Sequence, residues 1–235
     1  MEIFTHPEAW FTLLMLTFLE IVLGIDNIIF ISIVSDRLPK SEQKKARFIG
    51  LTLALAFRIM MLLGITYIIG FTQPLITLFN HQFSGKDAIL FAGGLFLIIK
   101  SSMEIKLKFD AKEQHIKEKK AGMSATIVQI VLLDIVFSFD SILTAVGITR
   151  EVLIMIIAVI ISIGIMMFFA GYVSDFINKY PTLQILALAF LVLIGIVLLG
   201  EAFHLEIPKG YVYSAVVFSL IVEWMNIRLR RRLKH

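Results

Sequence analysis

Cysteine is absent from the 235 residues, and charged side chains make up only 17% of them. A chain without thiols has no disulfide scaffold and no thiolate metal site. Charge this sparse, beside 58% hydrophobic residues and a mean hydropathy of +0.89, excludes a disordered or collagen-like chain. Lys and Arg are also missing ahead of the first apolar run, which is too long for the core of a cleavable signal and is expected to stay as a span. What is present is apolar, with twenty Phe among it. That is more apolar surface than a soluble globule of this length can bury, so the chain belongs in lipid.

A helix crosses the hydrocarbon layer with about 20 apolar residues, because the layer is about 30 Å thick and each residue rises about 1.5 Å. Seven runs qualify: Trp10–Val34, Phe48–Phe71, Ala88–Met103, Met123–Gly147, Val152–Val173, Leu183–Phe203 and Tyr211–Ile227. The third is the weakest, being short and bracketed by Asp87 and Lys100. Ser84-Gly-Lys-Asp87 reads as a capping box that starts its helix. Phe71–Phe83, which contains Pro74, reads as an interfacial segment and not as a span.

Basic residues fall on alternate sides of these spans. With the N-terminus outside, the inner loops and tail hold seventeen Lys and Arg and the outer loops three, while Arg58 and Lys100 lie within spans. The positive-inside rule therefore sets an N-out, C-in orientation. The same rule accounts for the net charge of +4 without nucleic acid as a partner.

Spans 1 and 4 echo each other. Glu20-Ile-Val-Leu-Gly-Ile-Asp26-Asn27 matches Asp134-Ile-Val-Phe-Ser-Phe-Asp140-Ser141 in the order acid, Ile-Val, apolar, small, apolar, Asp, small polar. Arg58-Ile-Met-Met and Gly164-Ile-Met-Met link spans 2 and 5, and Gly94 with Lys100 echoes Gly195 with Glu201 in spans 3 and 6. The expected architecture is thus an all-α membrane protein forming one transmembrane domain over residues 1–235. Repeat A covers 8–105, repeat B covers 122–206, and an extra helix follows at 211–228. Three spans per repeat is an odd number, so the halves are inverted, and transporters of that build bind substrate near the midplane.

Four carboxylates lie inside spans: Glu20, Asp26, Asp134 and Asp140. At roughly 2.5–3.5 kcal/mol each, they cost about 10–14 kcal/mol to insert, a penalty that structure alone has no use for. Glu20, Gly24 and Asn27 share one helical stripe, and Asp134, Ser138 and Ser141 repeat it. Asp26 and Asp140 sit about 120° further round and about 9 Å further along their helices. Either the first helix unwinds, with Gly24 the expected place, or the acids form two levels. Antiparallel spans would put Glu20 near Asp140 and Asp26 near Asp134. Carboxylates, the Asn27 amide and the Ser141 hydroxyl are hard donors suited to Mg²⁺, Ca²⁺ or Mn²⁺. His6, His81, His115, His204 and His235 lie at termini, loops or span ends, which argues against a Cys/His zinc site. Arg58 is expected to pair with one of the acids or to act as a tethered cation. Lys100 and Glu201 are expected to snorkel to the interface. Glu223 and Asn226 line one face of the last span as a vestibule or a contact for the basic tail.

With the Ile207-Pro-Lys-Gly-Tyr211 turn, the two acidic motifs resemble the TerC family of bacterial integral membrane proteins over roughly residues 7 to 228. The resemblance implies a multi-pass protein of the bacterial cytoplasmic membrane. It also implies links to tellurium resistance, to manganese efflux and to metal supply for secreted enzymes. On this resemblance Glu20, Asp26, Asn27, Asp134, Asp140 and Ser141 hold the metal, and the chain is the bare membrane module without the CBS-type domain of longer relatives. The leading expectation is a transporter, not an enzyme, with no resident cofactor. It would export Mn²⁺ by proton-coupled alternating access, its partners being the divalent ion and the bilayer. Two other readings compete. One is a non-transporting membrane partner of tellurium-resistance or secretion machinery. The other is an intramembrane aspartyl hydrolase in which Asp26 and Asp140 share a proton.

Overall fold

The computed structural model describes residues 6–70, 72–78, 81–114, 122–205 and 207–232. The side chains of some of these, Asp26 among them, lie outside the described set. Among the described residues seven helical spans are long and apolar enough to cross a membrane, as the hydropathy pattern predicts. The first is built from α1 (Pro7–Leu23) and α2 (Ile25–Asp36), and the second is α3 (Lys40–Leu63), after which comes the short α4 (Ile65–Gly70). Local sequence explains the helix starts. Pro7 and Pro181 occupy the first turn, where a missing N–H costs nothing and the fixed φ suits the helix. Glu8 adds a negative charge at the positive end of α1.

Between α4 and the third span the chain forms a hairpin of β1 (Pro74–Leu78) and β2 (His81–Ser84). It is antiparallel, pairing Ile76 with Phe83 and Leu78 with His81, and its register shifts between Pro74 and Ile76. The segment expected at the interface therefore holds a small β element, while the other regular elements among the described residues are helices. Pro74 has no N–H to donate within a ladder and sits at the strand's start, where that loss is tolerated.

The third span corrects an expectation. α5 runs from Gly85 to Gln114, with a spanning portion of 26 residues, and is as long as its neighbours. It starts directly after Ser84, where the capping signal places it. Beyond Met103 the Glu, Lys and Leu residues are good helix formers, so the helix continues past the apolar run. The remaining spans are α6 (Met123–Ile148), α7 (Val152–Lys179), α8 (Pro181–Ala202) and α9 (Lys209–Arg232).

The chain divides into two compact units. One holds α1 to α4, the hairpin, α6 and α7 as far as Phe176. In it α6 packs along α3 and against both α1 and α2. The α3 face is a stripe at every fourth residue: Ala46, Gly50, Ala54, Arg58 and Leu62 are all buried. The small members bring the helix axes close, and a Cβ on Gly50 would lie 2.8 Å from Ile130 of α6. The other unit holds α5 from Asp87, with α8 and α9. There the backbones of α5 and α8 nearly touch. A Cβ on Gly94 would lie 2.7 Å from the Gly195 carbonyl oxygen, and one on Gly195 would lie 2.8 Å from that of Gly94. α9 packs on α8 and leaves Val217, Phe218, Ile221 and Trp224 exposed, as suits a lipid-facing helix.

Candidate metal centre

The break between α1 and α2 falls at Gly24, as the residue pattern predicts. It is slight. Gly24 keeps right-handed torsions (φ −85°, ψ −7°), and its N–H still donates to the Glu20 carbonyl at 2.9 Å. The space beside Gly24 is crowded. A Cβ would meet the Met166 sulfur at 2.5 Å and the Glu20 carbonyl oxygen at 2.9 Å. α6 carries Ser138 at the equivalent position and runs unbroken.

On either side of this break, α1, α2, α3 and α6 contribute to one buried polar cluster. Arg58 of α3 lies at its centre. Its Nη1 donates to Glu20 Oε2 at 2.5 Å, its Nη2 to Asp134 Oδ1 at 2.7 Å and its Nε to Asp134 Oδ2 at 3.0 Å. The Asn27 amide also donates to Asp134 Oδ1, at 3.2 Å. The Arg58, Glu20 and Asp134 side chains are only 3–4% exposed. Two carboxylates and one guanidinium leave one net negative charge in this dry setting, where short, charge-assisted bonds replace lost hydration. The forked guanidinium can hold both Asp134 oxygens and still reach Glu20, which a point-like ammonium could not do.

The remaining sequence-predicted residues lie at varying remove. Ser141 is buried, and its hydroxyl donates to the Ser138 carbonyl at 3.2 Å, so its lone pairs face outward from that bond. Asp140 is half-buried on the same helix, and its backbone carbonyl accepts the Thr144 hydroxyl at 3.0 Å. Asp26 belongs to α2, but its side chain lies outside the described residues. Among the described residues no three carboxylate or imidazole groups converge as a ready ligand set. Arg58 instead holds together the leading acids of the two motifs. Glu20 also borders a cavity of about 10 Å³ otherwise walled by Leu16, Leu62, Ile142, Met155 and neighbouring apolar groups, room for about one water.

The sequence profile of the integral membrane protein TerC family matches residues 5–235. This chain belongs to the TerC family. A relative from Haemophilus influenzae named UPF0053 protein is 51% identical, with 99% of each chain covered. The UPF0053 inner membrane protein YgdQ of Escherichia coli K12 is 46% identical over 95% of this chain and 94% of its own. The UPF0053 inner membrane protein YoaE of the same organism is 41% identical over 98% of this chain, which spans 45% of it. No solved structure matches the chain. With seven spanning helices and inner-membrane relatives, this TerC-family member is a multi-pass inner-membrane protein.

Other polar groups of the TerC-family chain have structural partners. Glu223 accepts the Thr182 hydroxyl, joining α9 to α8. Glu201 is half-buried near the end of α8, whereas Lys100, expected near a span end, is half-buried midway along α5 because that helix continues to Gln114. Two features escaped the sequence reading. Arg47 donates to the Ser35 and Ser174 hydroxyls at 3.2 and 3.1 Å. The small-residue stripe that leads α3 onto α6 ends at Arg58. The Ala46-xxx-Gly50-xxx-Ala54 spacing was the available signal, because four-residue steps ending on a charge mark the charged residue as inward-facing.

Proposed function

We propose that this protein carries a divalent cation, Mn²⁺ foremost, out of the cytoplasm in exchange for protons, with Arg58 as the cation that holds the site while metal is absent. The supporting observation is the Arg58 guanidinium clasped by Glu20 of one motif and Asp134 of the other, with Asn27 on the same carboxylate. Hard oxygen donors from both motifs already surround a positive charge in a water-poor interior. A metal entering beside Asp26, Asn27, Asp140 and Ser141 competes with the guanidinium for those oxygens. Protons replace the metal as it leaves, which keeps the buried charge nearly constant. The apolar walls around the small cavity at Glu20 serve as a closed gate on that side.

The inverted repeat and the N-out orientation belong to the same proposal. Gly94 and Gly195, at matching repeat positions, touch reciprocally, the pattern an axis between equivalent helices produces. Export, in preference to import, follows from the TerC family's links to manganese efflux.

The test loads vesicles with Mn²⁺ and follows efflux together with lumenal pH. Wild-type protein is expected to release Mn²⁺ and take up protons, and Asp26→Ala and Asp140→Ala to do neither. Equal efflux in all three, or efflux without proton movement, would refute the corresponding part of the proposal.

A further inference from the structure

Within the larger unit, the N-terminal half of α3 and the last turns of α7 border an open cleft of about 820 Å³. Its two linings differ in character. Lys44, Lys45 and Arg47 stand along one edge, and Phe48, Leu51 and Phe168 form an apolar wall. Ser41, Lys44, Phe48 and Leu51 follow one another at three- and four-residue steps, so the basic edge and the apolar wall are consecutive stretches of a single helix face. Asp175 is the one acid on the lining. Arg47 is partly balanced by Asp175 and Asp36 and is tied to Ser35 and Ser174. Lys44 and Lys45 are exposed, and neither makes a hydrogen bond or ion pair with any described residue. Two uncompensated ammonium groups therefore sit at the mouth of a cleft whose interior is aromatic and aliphatic.

We propose that this cleft is a binding site for one anionic phospholipid. Its phosphate lies on Lys44 and Lys45, and an acyl chain runs along Phe48 and Phe168. Phe48 and Phe168 are 61% and 65% exposed, a wide apolar surface that a soluble anion would leave bare and a lipid tail covers. A zwitterionic lipid brings its own ammonium against two lysines and loses the attraction, whereas a net negative headgroup keeps it. Tyr172, tilted against Phe168 with centroids 5.9 Å apart, lines the same cleft and has the amphipathic character of an interfacial residue. On the expected orientation the site faces the cytoplasmic leaflet, where basic pockets between helices meet anionic headgroups. The site shares no residue with the Arg58 cluster, so it stands independently of the transport proposal.

The experiment titrates the full detergent-solubilised chain with phosphatidylglycerol or chain-matched phosphatidylethanolamine and counts bound lipid by native mass spectrometry. The expected result is one tightly retained phosphatidylglycerol, favoured over phosphatidylethanolamine. That preference should fall roughly ten-fold or more in a Lys44→Gln/Lys45→Gln double variant. A charge-matched control, Lys106→Gln/Lys179→Gln, should keep it. Phe168→Ser should weaken retention of phosphatidylglycerol while leaving the double-lysine edge intact. The proposal is overturned by wild-type protein with no preference between the lipids. It is equally overturned if the control loses the preference as fully as the cleft variant, or if millimolar inorganic phosphate displaces the lipid, which would make the cleft an anion site only.

Discussion

Replacing Arg58 with leucine removes three hydrogen bonds of 2.5, 2.7 and 3.0 Å and leaves Glu20 and Asp134 without their cation. Both carboxylates stay where solvent reaches only 3–4% of their surface. Breaking one side of such a buried pair costs about 3–5 kcal/mol, since the remaining charge is not rehydrated. In a chain of this size each kcal/mol moves the melting temperature by roughly 2–4 °C, so a fall of about 6–20 °C is expected. The triple variant Glu20→Gln/Arg58→Leu/Asp134→Asn removes the stranded charges along with the cation and should recover much of that loss. Arg58→Lys keeps the charge without the fork and should fall between the two. Metal supplies the sharper test. In Arg58→Leu the carboxylates face no competing guanidinium, so Mn²⁺ at one hundred times its dissociation constant should restore about 2.7 kcal/mol. The wild type should gain less at the same concentration, because there the ion must first displace Arg58. Melting of the purified protein, followed by loss of the monodisperse peak after heating, measures each quantity. An Arg58→Leu variant that melts with the wild type, or that Mn²⁺ protects no better than it protects the wild type, would refute the reasoning.

Two further substitutions test the packing. Gly94→Ala and Gly195→Ala each place a methyl group within 2.7–2.8 Å of the facing carbonyl oxygen and should cost about 1–3 kcal/mol. Gly164→Ala, whose methyl meets nothing within 4 Å, should be neutral or stabilising by about 0.5–1 kcal/mol. Comparable melting temperatures for all three would remove the argument from close approach. His204 closes α8 with φ of 60° while its Nε2 lies 3.1 Å from Asp87 of α5. His204→Gly relieves the left-handed backbone but loses that contact, so the two effects of about 1 kcal/mol each should nearly cancel. His204→Val loses the contact and keeps the strain, and should be worse than either the wild type or the Gly variant by about 1 kcal/mol. Equal stability of the Gly and Val variants would show that backbone strain at this turn carries no weight.

The spans, the intramembrane acids and the break at Gly24 were legible because each is a local property. A run of apolar residues, a charge within it and a glycine at its centre act on the helix that contains them. The length of α5 was less legible, since Lys106 and Lys108 end the apolar signal while favouring continuation of the helix. The β-hairpin at Pro74–Ser84 was hidden for a related reason. Its pairing joins residues several positions apart, and hydropathy averaged along one segment does not register cross-strand partners.

The residues by themselves determined that this chain resides in a membrane, where it crosses, and that buried oxygen donors recur in two matching motifs. Only the tertiary structure decided which of those donors meet. Level counting along ideal antiparallel helices puts Glu20 near Asp140, and the described contacts add that Glu20 and Asp134 share one guanidinium. The face that α3 turns inward supplies that guanidinium. Ala46, Gly50 and Ala54 are buried on the same face as Arg58, and Gly50 lets α6 approach at Ile130, so that Arg58 enters between the acids. A helix's own periodicity gives the angle between its faces, but the face that turns toward a partner is chosen by the shapes of both.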